Sequence, residues 1–129
     1  VVCLGTTLGF FMTTPVIIAL RAASHICFAL LGAVLIRKIP EIIEKPLPST
    51  VFNGGLAFVH ALAEVAVVSP FFLAGSIFKP EQLADGYVMS VLVLVGVGTF
   101  LHSLIDYTVS IMLWKPVRAA LPSLAELRE

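Results

Sequence analysis

Charge is scarce in this sequence. Asp, Glu, Lys and Arg make up 12% of its 129 residues, against ~25% in an ordinary soluble domain. Cysteine is scarce too: Cys3 and Cys27 stand alone, with no CxxC. That spacing gives a disulfide or a thiolate metal site no support, and both are expected to be small buried thiols. The formal net charge is zero, so there is no basic excess to hold nucleic acid. Neither a glycine-rich phosphate loop nor an HExxH helix is present. The chain therefore carries no ATP-hydrolysing motif of the P-loop kind and no zincin motif. The opening "VVCLGTTLGF" has no initiator methionine and no charged signal-peptide region. It starts inside an apolar run, and the chain is expected to be an N-terminally truncated piece.

Apolar residues are what the sequence has in excess, at 59%, with a mean hydropathy of +1.06. About 20 apolar residues in helix span ~30 Å of hydrocarbon, and the apolar runs here approach or exceed that length. They lack the period-two alternation of barrel strands. The expected fold is an all-α integral membrane protein, a polytopic bundle forming a single domain over 1–129. Its helices are expected at about 1–13, 15–36, 50–73 and 87–114. "RKIPEIIEKPLPS" (37–49) and "AGSIFKPEQLADG" (74–86) are the polar breaks. Ser49 or Thr50 is expected to cap the third helix, Ser69-Pro70 to bend or end it, and Trp114 to mark the end of the fourth at a membrane interface.

The basic residues orient the bundle. Arg37, Lys38 and Lys45 lie in the first break, and Lys115, Arg118 and Arg128 follow the last span, while the other side has only Lys79. The positive-inside rule puts the first break and the C-terminus in the cytoplasm. A multi-pass plasma-membrane location follows.

Two heptapeptides stand out, "FVHALAE" (58–64) and "FLHSLID" (100–106), both F-x-H-x-L-x-acid. Together with Arg21 and His25 they place ionisable pairs four residues apart on three helices: Arg21/His25, His60/Glu64 and His102/Asp106. Four residues is about one helical turn, so each pair shares a face. A charge at mid-membrane costs ~2.5–3.5 kcal/mol on insertion scales, and such residues face the bundle interior and pair. The simplest packing turns all three pairs toward one site, with Arg21 and Glu64 at one level and Asp106 deeper toward the cytoplasm.

Three roles remain open for these residues. They could bind a small polar solute, with Arg21 clamping an anionic group and the histidines acting as switchable donors. They could be interhelical glue, with Arg21 on Glu64 and His102 on Asp106, each bond worth ~0.6 kcal/mol on average. Or the His/acid pairs, with His25, could hold a metal, which Arg21 in the same patch disfavours. Small residues fit close packing: Gly5 and Gly9 in "GTTLG", Gly96 and Gly98, and Asn53 with Gly54 and Gly55. Phe10–Phe11 and Phe71–Phe72 fall near the expected outer face, suited to lipid anchoring or to stacking on a flat ligand.

The stretches "GTTLGFF", "LRAASHICFALLGA", "HALAEV" and "GTFLHSLIDY" resemble the substrate-binding S components of energy-coupling factor (ECF) vitamin transporters, most of all the niacin-type subgroup. The resemblance covers nearly the whole chain but rests on no invariant signature. It implies a six-helix fold with both termini cytoplasmic, of which this chain would supply helices three to six. It also implies partners: a small vitamin, a transmembrane coupling subunit, ATPase subunits and the bilayer, with no nucleic acid. Such a protein is not an enzyme and needs no cofactor or metal of its own. Niacin is a flat ring bearing a carboxylate, which the guanidinium fork of Arg21 would match, while a histidine could bond the ring nitrogen. The expected substrate site is Arg21, His25, His60, Glu64, His102 and Asp106, with orienting His102 the role left to Asp106. The alternatives from other classes are a membrane-embedded metal-dependent enzyme built on the His/acid pairs and a structural helix-bundle subunit.

Overall fold

The structure is a computed structural model that describes Leu8, residues 16–75 and residues 80–120. The expected first helix (1–13), with Cys3, Gly5, Gly9 and Phe10–Phe11, therefore lies outside the described residues, Leu8 apart. Helix α1 runs Val16–Lys38. A 3₁₀ turn, Pro40–Ile43, leads into α2, Pro46–Leu73. A short α3, Pro80–Ala84, precedes a π-helical stretch, Val88–Val97, which continues directly into α4, Gly98–Ala120. Among the described residues every regular element is helical. The segments Val16–Lys38, Pro46–Leu73 and Val88–Val117 are each long and apolar enough to cross a membrane. The chain is a multi-pass membrane protein.

Helix α2 is the centre. It packs on α1, on α4 and on the π-helical stretch. Its buried residues are Phe52, Asn53, Ala57, His60, Ala61, Glu64, Val68 and Phe72, a stripe recurring every three or four positions, as one helix face requires. Two of these are alanines and three are polar, whereas Val51, Phe58, Leu62 and Leu73 point outward. Lipid rewards apolar side chains on the outside, so small and polar ones can be sequestered between helices. Close approach is visible at two glycines. A Cβ on Gly32 of α1 would stand 3.1 Å from Leu56 Cδ1, and one on Gly96 would stand 3.1 Å from Val65 Cγ2. A cluster of Val68, Phe72 and Val91 closes one end of the bundle, flanked by Ile17, Val65, Tyr87 and Val95.

Helix boundaries depart from the sequence expectations in instructive ways. Helix α2 starts at Pro46, earlier than expected, with Lys45 as N-cap and no side-chain cap bond. Proline in the first turn sacrifices an N–H that had no partner anyway. Ser49 and Thr50 are thus inside the helix: Thr50 Oγ1 donates to the Pro46 carbonyl at 2.9 Å, and Ser49 Oγ meets Tyr107 Oη of α4 at 3.0 Å. Pro70 neither ends α2 nor stops it short of Leu73. Beside it, Ser69 Oγ donates to the Val65 carbonyl at 2.6 Å and lies 2.7 Å from Tyr87 Oη, tying the turn to the next span. The true stop is Gly75 at φ +64°, a left-handed conformation that favours glycine. Helix α4 likewise runs through Trp114 and Pro116 to Ala120. Cys27 is exposed on α1, contrary to the expectation of a buried thiol, because the α1 face toward α2 is set by Ala19, Ser24 and Gly32. Phe72 is buried against the Tyr87 ring, with centroids 5.7 Å apart, and so packs within the protein instead of facing lipid or a ligand.

Candidate functional site

Arg21 and Glu64 meet across the α1–α2 interface. Arg21 Nε donates to Glu64 Oε2. The glutamate is 1% exposed, and a carboxylate so deeply buried persists only with a charge partner and hydrogen bonds. Ser24, one turn on from Arg21, supplies a further contact. Its hydroxyl lies 3.0 Å from Glu64 Oε1 and 2.6 Å from the Arg21 carbonyl, and its single proton serves one of the two at a time. The guanidinium side chain keeps 44% of its surface accessible. It is anchored at one end and open at the other.

Two histidines complete the cluster. His25 Nδ1 lies 2.8 Å from the Arg21 carbonyl. A carbonyl can only accept, so Nδ1 carries the proton and Nε2 of the neutral ring holds the lone pair. His60 is 3% exposed, with Nδ1 2.6 Å from Ser103 Oγ of α4. Its other nitrogen, Nε2, is buried, makes no hydrogen bond and stands 3.9 Å from Glu64 Oε1. The two rings meet edge to face with centroids 4.3 Å apart, and Phe28 covers His60 at the same 4.3 Å. One ligand atom from each of His25, His60 and Glu64 falls within 4.8 Å of the others. The result is a charged pair, two imidazoles and an aromatic wall at the junction of α1, α2 and α4.

The expected third pair does not join them. His102 Nε2 and Asp106 Oδ2 are 3.0 Å apart along α4, with side chains 67% and 61% exposed. They bond to one another, as the glue arrangement expects, but they point away from the bundle. What α4 turns inward is the stripe Thr99, Ser103 and Tyr107, also spaced by four: Thr99 is buried, Ser103 holds His60, and Tyr107 holds Ser49. One position along a helix is a rotation of ~100°, which separates Ser103 from His102. Ser24, Phe28 and Ser103 thus stand in this cluster, and a reading of the ionisable groups alone does not name them. The signal was a second polar stripe at the same spacing, less conspicuous because it carries no charge. A separate cavity of about 250 Å³ lies between the start of α2 and the end of α4, lined in part by Lys45, Ser49, Asn53, Tyr107 and Lys115. None of the expected site residues lines it.

No family model matches the chain, and no solved structure matches it. A curated relative does: the niacin transporter NiaX of Lactococcus lactis subsp. cremoris (strain MG1363), 34% identical over 122 residues. The chain is similar to a niacin transporter. The match takes in 94% of this chain but 53% of the relative, so the chain spans about half the length of the relative it matches. The alignment runs over nearly all of the sequence that resembles the niacin-type S components, and the relative is named a transporter.

Proposed function

We propose that this chain is part of the substrate-binding subunit of an ATP-driven ECF-type importer that takes up niacin from outside the cell. The observation that carries this is the Arg21–Glu64–His60–His25 cluster, held between membrane-spanning helices of a chain that is similar to a niacin transporter. An arginine has five N–H donors. Glu64 uses the one on Nε, so a bidentate edge remains to receive a carboxylate. In the metal-free tautomer whose Nδ1 accepts from Ser103 Oγ, His60 Nε2, buried without a hydrogen bond, is the group to donate to the ring nitrogen. Phe28 and the His25 ring offer faces on which a flat ring can stack. His102 and Asp106, expected in the site from sequence, bond to each other on the far side of α4 and have no part in this ligand cradle.

Coupling to transport falls to partners: a transmembrane coupling subunit and ATPases, with the C-terminus of this chain on the cytoplasmic side. Lys115 lies at that end of α4, as the positive-inside rule asks. The test is binding of radiolabelled nicotinate to the purified membrane protein, with nicotinamide as the uncharged competitor. Saturable nicotinate binding that nicotinamide displaces poorly is expected. Equal competition would remove the role given to Arg21.

A further inference from the structure

We propose that His25, His60 and Glu64 form a binding site for a divalent transition-metal ion of the zinc, cobalt or nickel class, and that an anionic substrate completes its ligand set. The metal half of this stands on three side chains of the cluster alone. The anion half rests on the niacin reading above, since the residues are shared.

His60 carries the argument. It is 3% exposed, and its Nε2 makes no hydrogen bond. Leaving such a group unsatisfied is costly, and a Lewis acid at Nε2 would offset that. Its other nitrogen is held by Ser103 Oγ at 2.6 Å. When the serine oxygen accepts the Nδ1 proton, the lone pair is on Nε2, the tautomer that a metal takes. A ligating histidine almost always has its second nitrogen fixed in this way. Glu64 is prepared similarly. Arg21 and Ser24 hold the carboxylate, Oε1 stands 3.9 Å from His60 Nε2, and one ligand atom of His25 falls within 4.8 Å of the other two residues' ligand atoms.

The spacing is too long for hydrogen bonds and suits a shared ion. Ligand atoms ~2.0–2.1 Å from a tetrahedral zinc stand ~3.4 Å apart, so the Glu64–His60 pair at 3.9 Å would close by about half an ångström and the widest separation, within 4.8 Å, by up to about 1.4 Å. Two nitrogens and one oxygen favour zinc, nickel or cobalt over magnesium or calcium, which prefer oxygen alone. Three protein ligands also leave a position open, as in sites that bind a substrate on the metal.

Arg21 is the objection to a cation, and it points to the second half of the proposal. Arg21 and Glu64 cancel in charge, so a divalent ion alone would leave the buried site with a double positive charge. A carboxylate ligand relieves this by charge, and a pyridine carboxylate also offers a ring nitrogen suited to the metal. The ion and the anion should therefore strengthen one another's binding by the same factor.

The test is titration of the purified, metal-free membrane protein with Co²⁺, followed by visible absorption, with and without nicotinate. One equivalent of Co²⁺ with the intense spectrum of a four- or five-coordinate site is expected, displaced by Zn²⁺ and bound at least tenfold more tightly with nicotinate present. His60→Ala should abolish the spectrum, and His102→Ala should leave it unchanged. Should His60→Ala not fold, Ser103→Ala keeps the ligand and loses only its support, with an expected loss of ~10–100-fold in Co²⁺ affinity. Weak six-coordinate absorption, or Co²⁺ binding unaffected by both His60→Ala and Ser103→Ala, would overturn the metal site. The two readings fail separately. Thermal stabilisation by nicotinate that persists in EDTA sinks the metal and keeps the niacin site. Co²⁺ bound at His60 with no response to nicotinate keeps the metal and sinks the niacin reading.

Discussion

Glu64 of α2 takes its ion pair from Arg21 of α1, 43 positions earlier in the chain, and this buried carboxylate sits one turn from His60. The pair joins two spans at the point where the histidines collect. Removing one partner therefore differs sharply from removing both.

Arg21→Ala leaves Glu64 buried without its cation. Breaking a buried pair in this way costs about 3–5 kcal/mol, whereas replacing both partners by apolar groups is often close to neutral. The expected outcome is a large fall in thermal stability for Arg21→Ala and recovery of most of it in the Arg21→Met/Glu64→Leu double variant. A double-mutant cycle in detergent measures this. A double variant as unstable as the single one would contradict it.

Arg21→Lys keeps the charge and loses the fork. Lysine is a point charge and cannot hold Glu64 and a substrate carboxylate through separate edges. Nicotinate at ~100-fold excess over Kd should add about 2.7 kcal/mol of stability to the wild type. The variant should retain a fold but bind nicotinate at least tenfold more weakly, as read by calorimetry.

His102→Ala and Asp106→Ala should leave nicotinate affinity within threefold. Their pair is exposed on α4, and an i,i+4 pair on a helix surface contributes only ~0.3–0.5 kcal/mol. Ser103→Ala, one residue away, should weaken binding by tenfold or more, because His60 loses its support. Parallel binding curves for the three variants decide between the two faces of α4.

Glycine substitutions should divide by location. Gly96→Ala puts a methyl group 3.1 Å from Val65 Cγ2, and overpacking of this kind costs ~1–3 kcal/mol. Around Gly54 and Gly98 nothing lies within 4 Å of an added Cβ, so alanine there should be neutral or gain ~0.5–1 kcal/mol from better helix propensity. Thermal unfolding of the three variants tests the packing of the π-helical stretch on α2.

The helices that the structure describes and the pairing of Arg21 with Glu64 were legible from the residues alone. Runs of this length and apolarity have no stable form in water, and two opposite charges at one membrane depth have few other partners. Asn53 was legible as a packing residue too: its Nδ2 donates to the Leu104 carbonyl at 3.2 Å across the α2–α4 contact. The start of α2 at Pro46 and the run of α4 through Pro116 to Ala120 were not, since proline usually interrupts a helix and here opens one and sits within the other, whereas the end of α2 at Leu73 was.

The rotation of α4 was decided only by tertiary structure. In a soluble protein the apolar stripe marks the buried face. In a membrane both faces are apolar, and α4 offers two polar stripes of equal spacing, His102/Asp106 and Thr99/Ser103/Tyr107. Charge marks out the first. Packing chose the second, because its hydroxyls reach His60 and Ser49 on α2 while His102 and Asp106 satisfy each other within their own helix. The sequence by itself determined a membrane-spanning helical bundle with a buried Arg–Glu pair. Which side chains stand beside that pair depended on contacts between residues some 40 positions apart, and no local pattern encodes those.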